Sequence, residues 1–203
     1  MSETEPEPLS SLRKDLMGII RERGLVHFDE PVGLASGGFS RDFIDTKRAL
    51  ARGSDLRKAC VAVIELVDQM GVQFGAIGGL TMGADKVAHG VSVVIDGDIE
   101  WFSVRKQAKE RGTRKRIEGA ELGPGMEVLL VEDVVTRGGS IADALQAIRE
   151  TGATVVAAVS IVDRGELGRR LFEHERIPYQ PLFTFADLMI EPVRDGPGVA
   201  ATS

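Results

Sequence analysis

Apolar positions along the chain fall into two kinds of pattern. Leu12, Leu16, Ile19 and Ile20 recur at helical spacing and the run stops near Gly24, which predicts an N-terminal helix. A second helix is predicted from Ser54 to Met70, with Leu56, Cys60, Val63, Ile64 and Val67 on one stripe and Gly71 closing it. Beyond it come short apolar runs ended by Gly or a polar turn: Phe74 to Leu80, Val91 to Ile95, Met126 to Val131 and Thr154 to Val162. Continuous runs of this length, without strict alternation, predict strands covered on both faces. Between the last two, Ile141, Ala144, Leu145 and Ile148 mark a helix from Ser140 to Glu150. Strand, helix and strand in succession form a βαβ unit, which predicts a parallel sheet with right-handed crossovers. Ligands in such sheets sit beyond the carboxyl ends of the strands, where strand order reverses. The residues that follow each strand are therefore the candidates for chemistry.

A chain of 203 residues supports one α/β domain with room for a small subdomain. Residues 1–10 and 192–203 are rich in Pro, Gly, Ser, Ala and acids and lack apolar periodicity, so both are expected to be disordered, leaving 11–191 as a single domain. No apolar stretch approaches the roughly 20 residues of a membrane helix. Met1 to Ser10 has neither a basic start nor an apolar stretch of the secretory kind. The expectation is a soluble, cytoplasmic protein with no membrane partner. The single cysteine, Cys60, excludes an internal disulfide and reads as a core thiol. His27, His89 and His174 lack metal-ligand spacing, and Trp101 and Tyr179 read as packing aromatics.

Charge changes the picture through its distribution. The net charge of −6 argues against a nucleic-acid partner bound over the whole surface. Yet Arg105, Lys106, Lys109, Arg111, Arg114, Lys115 and Arg116 face only Glu110 within one short stretch, an isolated basic island. A solvated helical face is the ordinary explanation of such a run. Arg105 and Lys109, and Arg111 and Lys115, are like charges at i,i+4, however, which destabilises a helix. A loop that closes over an anionic substrate fits better, its cations stabilising charge on a leaving group. A nucleic-acid patch is the other option, weakened by the lack of interleaved aromatics.

The segment after the Met126 strand holds the densest chemistry: Glu132-Asp133-Val134-Val135-Thr136-Arg137-Gly138-Gly139-Ser140. Adjacent carboxylates at a buried strand end repel each other and lose hydration, which persists only if something positive or rich in donors compensates. A sugar's vicinal hydroxyls or a hydrated Mg²⁺ would both serve. Behind them, Thr136 to Ser140 offers N–H groups, hydroxyls, permissive glycines and a helix N-terminus, which together form a cradle for phosphate. Read blandly, Ser140 and Asp143 form an N-cap and capping box. No Walker A loop and no Gly-x-Gly-x-x-Gly after a strand occurs.

This nonapeptide resembles the donor-binding signature of type I phosphoribosyltransferases. The resemblance implies an α/β fold with a central parallel sheet flanked by helices and a small N-terminal hood. It implies that Glu132 and Asp133 hold the ribose hydroxyls of phosphoribosyl diphosphate while Thr136, Gly138, Gly139 and Ser140 hold the 5-phosphate, with Val134, Val135 and Arg137 also among the donor-binding residues. Arg137 stands where many members carry a small polar residue. Arg105-Lys106-x-x-Lys109-x-x-Gly112 after Phe102-Ser103-Val104 is similar to the catalytic loop of the orotate-specific members, which works across a homodimer. By that likeness Lys109, Arg105 and Asp133 are the catalytic residues, and Arg105, Lys106, Lys109 and Arg111 meet the diphosphate. Arg111 replaces the usual His and cannot titrate near neutrality, so only charge stabilisation is left to it.

Further resemblance extends from Ser36 to Glu166. Ser36-Gly37-Gly38-Phe39-Ser40-Arg41-Asp42-Phe43-Ile44-Asp45 is similar to the hood, with Ala35 where a lysine commonly stands. Gly78-Gly79-Leu80-Thr81-Met82-Gly83-Ala84-Asp85 looks like the diphosphate-binding loop, or else a plain glycine-rich turn; Thr81 and Met82 are its donor contacts. At the end of the Thr154 strand, Arg164 is implied to pair with the orotate carboxylate, with Thr136 and Phe43 also at the base; a surface salt bridge to Asp163 or Glu166 is the plain alternative. Mg²⁺ is expected through donor oxygens and water, with no direct protein ligand. The implied reaction makes orotidine 5′-phosphate and diphosphate. A transferase for another base, or a donor-sensing regulator using the basic island on nucleic acid, are the competing readings.

Overall fold

The computed structural model describes residues 10–34, 37–107 and 116–194. Lys109 and Arg111, Ala35 and Ser36, and most of both expected tails therefore lie outside the described residues.

Helix α1 (Ser11–Ile19) is capped by the Ser10 side chain, which accepts from the Arg13 N–H, and runs on as a π-helical turn through Gly24. Strands β1 (Leu25–Gly33) and β2 (Phe39–Ile44) then form an antiparallel hairpin, the hood. A short helix α2 (Thr46–Ala49) and the long α3 (Gly53–Gln69) lead into the main sheet. Its elements are β3 (Ala76–Leu80), α4 (Asp85–Val94), β4 (Glu100–Val104), β5 (Ile117–Gly119), β6 (Glu127–Val135), α5 (Gly139–Arg149), β7 (Thr154–Asp163), α6 (Glu166–Glu175) and β8 (Tyr179–Thr184). The strand order is β5-β4-β3-β6-β7-β8, and every neighbouring pair is parallel except β4 with β5.

The sheet separates two apolar cores. Leu16 of α1, Val63 of α3 and Val91 of α4 pack on one face with Ile77, Leu129 and Val159. Leu145 of α5 and Phe172 of α6 pack on the other with Ala76, Leu130 and Ala158. Neighbouring strand residues point to opposite faces, so a strand covered on both sides is apolar throughout. That is why the runs at Thr154 and Met126 were readable as central strands.

Three expectations need correction. Val91 to Ile95 is not a strand but the end of α4, because Val87, Ala88 and Val91 lie on one helical stripe that the core buries, overriding the β-branched composition. Strand β6 does not stop at Val131; it runs to Val135 because β7 pairs with it out to Val135↔Asp163. The acid pair thus lies within the strand. Ser140 and Asp143 do not cap α5 either. Gly138 turns through a left-handed φ of 83° and starts the helix one residue earlier, with no side-chain cap.

The segment from Pro192 is described as far as Arg194, which exchanges backbone hydrogen bonds with Phe39 of the hood at 2.9 and 3.1 Å. No helix among the described residues is long and apolar enough to cross a membrane.

Candidate active site

Strand order reverses between β3 and β6: the chain steps from β3 outward to β4 and then returns to the other side of β3 as β6. The loop after β3 and the end of β6 are therefore side by side at the carboxyl edge. Gly78 and Gly79, expected in a diphosphate loop, are strand residues. A Cβ at Gly78 would lie 2.2 Å from the Phe102 carbonyl and one at Gly79 2.1 Å from that of Val131. They permit close strand approach, and the loop proper is residues 81–84. Thr81 Oγ1 and Ser103 Oγ both donate to Asp85, at 2.6 and 2.7 Å, which ties this loop to β4.

Gly83 brings the loop against the acids. A Cβ there would lie 2.5 Å from Glu132 Oε1 and 2.7 Å from Asp133 Oδ1. Both acids are 8 % exposed. Asp133 Oδ2 accepts from Lys86 Nζ at 2.8 Å and from Thr46 Oγ1 at 2.6 Å, and Oδ1 accepts the Val134 N–H. Burial alone would raise the Asp133 pKa. The Lys86 charge, with hydrogen bonds from Lys86, Thr46 and Val134, outweighs it and holds the carboxyl below its ordinary value. Glu132 goes the other way: burial, then the charge of Asp133, push it from 4.5 to about 8. The two acids are thus driven apart, Asp133 toward its charged form and Glu132 toward its protonated one. The compensation demanded by two adjacent buried acids thus comes partly from Lys86 and Thr46, which sequence reading missed. Both lie far from the acids along the chain, and no local pattern marks them.

Glu132 and residues 134–141 line a pocket of about 390 Å³. Gly139 and Ser140 are exposed in its floor, and the first N–H groups of α5 have no helical acceptor. Val135 is 2 % exposed and its side chain is committed to packing against Gly168, leaving only its backbone to face the pocket. Val134 is half-buried against the core. Arg137 reaches from this loop to the hood, since Cβ atoms at Gly37 and Gly38 would come within 3.4 and 3.0 Å of its guanidinium group.

A second cleft, about 690 Å³, is lined by Thr81, Met82, Ser103, Arg105, Lys106, Gln107 and Glu118. Met82 is 72 % exposed there. The basic island is the connection between antiparallel β4 and β5, fastened by the Arg105 N–H to the Arg116 carbonyl at 2.8 Å. Arg105 lies 3.6 Å from Glu118. Lys109 and Arg111 belong to the part outside the described residues.

Arg164 follows β7 and is 2 % exposed. Its N–H donates to the Val135 carbonyl at 2.8 Å, placing it beside Thr136, and its Nη2 donates to Ser40 Oγ of the hood at 2.8 Å. Burial lowers its pKa and the nearby Asp42 charge raises it, with the net effect downward. The surface salt bridge is not what forms: Glu166 pairs with Arg170 and Asp163 accepts from the Gly165 N–H. Arg164 Nε has no hydrogen-bond partner among the described residues. Phe43 is not brought to Arg164. Ser40, Asp42 and Ile44 occupy the buried face of β2, so Phe43 lies on the opposite, 41 % exposed face.

Among the described residues no group of three or more His, Cys, Asp or Glu side chains is placed to hold a metal. The acid pair fits a Mg²⁺ approached through water rather than a closed protein cage.

The acid pair of β6 lies against Gly83 of the loop after β3, with the cleft lined by Thr81, Arg105 and Lys106 beside that loop and the pocket of residues 134–141 beyond Glu132. The phosphoribosyl transferase domain model matches residues 66–175, and the chain belongs to that family. Within it the chain is similar to orotate phosphoribosyltransferases. That of Aquifex aeolicus is 39 % identical over 181 residues, spanning 87 % of this chain and 97 % of that protein. That of Corynebacterium glutamicum is 37 % identical over 176 residues, spanning 87 % and 93 %. The Mycobacterium tuberculosis orotate phosphoribosyltransferase, solved in complex with 5-phospho-α-D-ribosyl 1-diphosphate, is 31 % identical with a TM-score of 0.72, covering 88 % of this chain and 99 % of that one.

Proposed function

We propose that this protein transfers ribose 5-phosphate from phosphoribosyl diphosphate to N1 of orotate, giving orotidine 5′-phosphate and diphosphate for pyrimidine nucleotide synthesis. The fold supports many bases, so the choice of orotate rests on the site. The observation that carries it is Arg164: a buried guanidinium with an unfilled Nε, one hydrogen bond from the phosphate loop, suited to a carboxylate on the base.

Glu132 and Asp133 hold the ribose hydroxyls and Thr136 to Ser140 hold the 5-phosphate. Thr81, Met82, Arg105 and Lys106 face the diphosphate, joined by Lys109 and Arg111. The N1 electron pair of orotate forms the new bond to C1 as the bond from C1 to the diphosphate oxygen breaks, with inversion; the diphosphate leaves with that bonding pair and takes up the proton that N1 gives up. Positive charge developing on the ribose lies beside the ionised Asp133, and negative charge on the diphosphate lies under the basic loop. Mg²⁺ carried on the donor would neutralise diphosphate charge, with Glu132 and Asp133 within reach through water. The likeness of Arg105-Lys106-x-x-Lys109-x-x-Gly112 to the catalytic loop of the orotate-specific members supports a homodimer in which the basic loop serves the neighbouring site.

Steady-state assays with orotate, uracil and purine bases test the choice of base. Turnover of orotate is expected; turnover of a purine with none of orotate would defeat it.

A further inference from the structure

We propose that Lys86 is a positioning residue for the donor site, locking the Asp133 carboxylate and the loop of residues 81–84 into one unit. The proposal deepens the reading of the acid pair as the donor's ribose site and rests on it. Lys86 is the second residue of α4, immediately after the loop, and its backbone is anchored by Val87 and Ala88 in the core. Its Nζ donates to Asp133 Oδ2 and to the Gly83 carbonyl, both at 2.8 Å. The side chain is 17 % exposed.

Four neighbours face Asp133: Lys86 from α4, Thr46 from α2, Gly83 from the loop, and Glu132 beside it on β6. Lys86 is the only cation among the described residues that bonds to it. Thr46 can hold Oδ2 in place but supplies no charge. The two bonds of Lys86 have different consequences. The one to Asp133 favours its charged form, and the one to Gly83 fixes the loop at the distance where its missing Cβ leaves room for both acids. Without the ammonium group, Asp133 would keep its hydrogen bonds from Thr46 and the Val134 N–H but lose the cation that favours its charged form beside Glu132, and the loop would lose its tie to the acid.

The test is calorimetric titration with phosphoribosyl diphosphate and Mg²⁺ of the wild type, Lys86→Met, Lys86→Arg, Asp133→Asn and the Lys86→Met/Asp133→Asn pair, each confirmed folded by circular dichroism. Lys86→Met is expected to weaken donor affinity by about tenfold or more, with Lys86→Arg recovering most of it. The effect should vanish in the Asp133→Asn background, and the acid limb of kcat/KM should move to higher pH in Lys86→Met. Unchanged affinity in Lys86→Met, or an equal loss in both backgrounds, overturns the role of Lys86 alone. Absence of binding by the wild type would instead sink the donor-site reading beneath it. Should Lys86→Met fail to fold, Lys86→Gln is read in the same way.

Discussion

Arg164 and Ser40 are 124 residues apart in the chain, yet the guanidinium donates to the hydroxyl at 2.8 Å and joins the end of β7 to the hood. The same arginine is held to β6 by its own backbone N–H. A base seated against it would touch the hood and the donor loop together. Asp42 supplies nearby charge, and Nε has no hydrogen-bond partner among the described residues.

Replacing Arg164 should therefore damage base recognition more than donor binding. Arg164→Met is expected to lower kcat/KM for orotate by about 10² or more, as loss of a bidentate charged contact does. Donor affinity should change little. Arg164→Lys should restore only part, because an ammonium cannot present two parallel donors. A comparable loss in donor affinity would place Arg164 in the hood's framework instead.

Gly83 offers a purely steric test. Gly83→Ala puts a methyl group onto both Glu132 and Asp133. The acids are displaced without losing charge, and kcat/KM for the donor should fall by about 10-fold to 10². Gly53→Ala, at a position where an added Cβ meets nothing within 4 Å, is the control and should retain full activity.

The acid pair also sets a pH signature on stability. Glu132 has a folded pKa of about 8 against an ordinary 4.5, so the folded state holds this proton more tightly than the unfolded chain. The corresponding stability is fully present below about 4.5 and is lost as pH rises through about 8. Glu132→Gln removes that loss. Its Tm relative to wild type should rise between pH 5 and pH 8, by about 2–4 °C for each kcal/mol of linkage. A constant difference across that range would contradict the assignment.

The basic loop is tested by activity. Lys109→Ala is expected to lower kcat by about 10² or more, the scale of losing a donor to the transition state. If the loop serves the neighbouring subunit, mixing Lys109→Ala with Asp133→Ala should regenerate active sites in mixed dimers. No recovery from confirmed mixed dimers would assign the loop to its own subunit.

What could be read from the sequence was what is local. Glu132 to Ser140 is contiguous, and a buried strand leading into two acids and a glycine turn carries its own explanation. Arg164 was visible for the same reason, as a charge at the end of an apolar run. Lys86 and Thr46 were not, because their meaning comes only from the sheet order that brings α4 and α2 to the tip of β6. The misreading of Val91 to Ile95 arose because three valines and an isoleucine carry strand propensity, whereas the helical stripe through Val87, Ala88 and Val91 decides the outcome. Gly78 and Gly79 looked like a ligand loop but serve backbone approach within the sheet. Phe43 shows the same limit: only the register of β1 with β2 reveals which face of the hood it occupies.

Heat of binding on titrating folded protein with phosphoribosyl diphosphate and Mg²⁺ measures the central claim most directly. The account predicts saturable binding that Glu132→Gln/Asp133→Asn abolishes or weakens by at least about 10², two hydrogen-bonding carboxyls of the site being lost together. No heat from the wild type over a range of temperatures, or undiminished binding by the double variant, would contradict it.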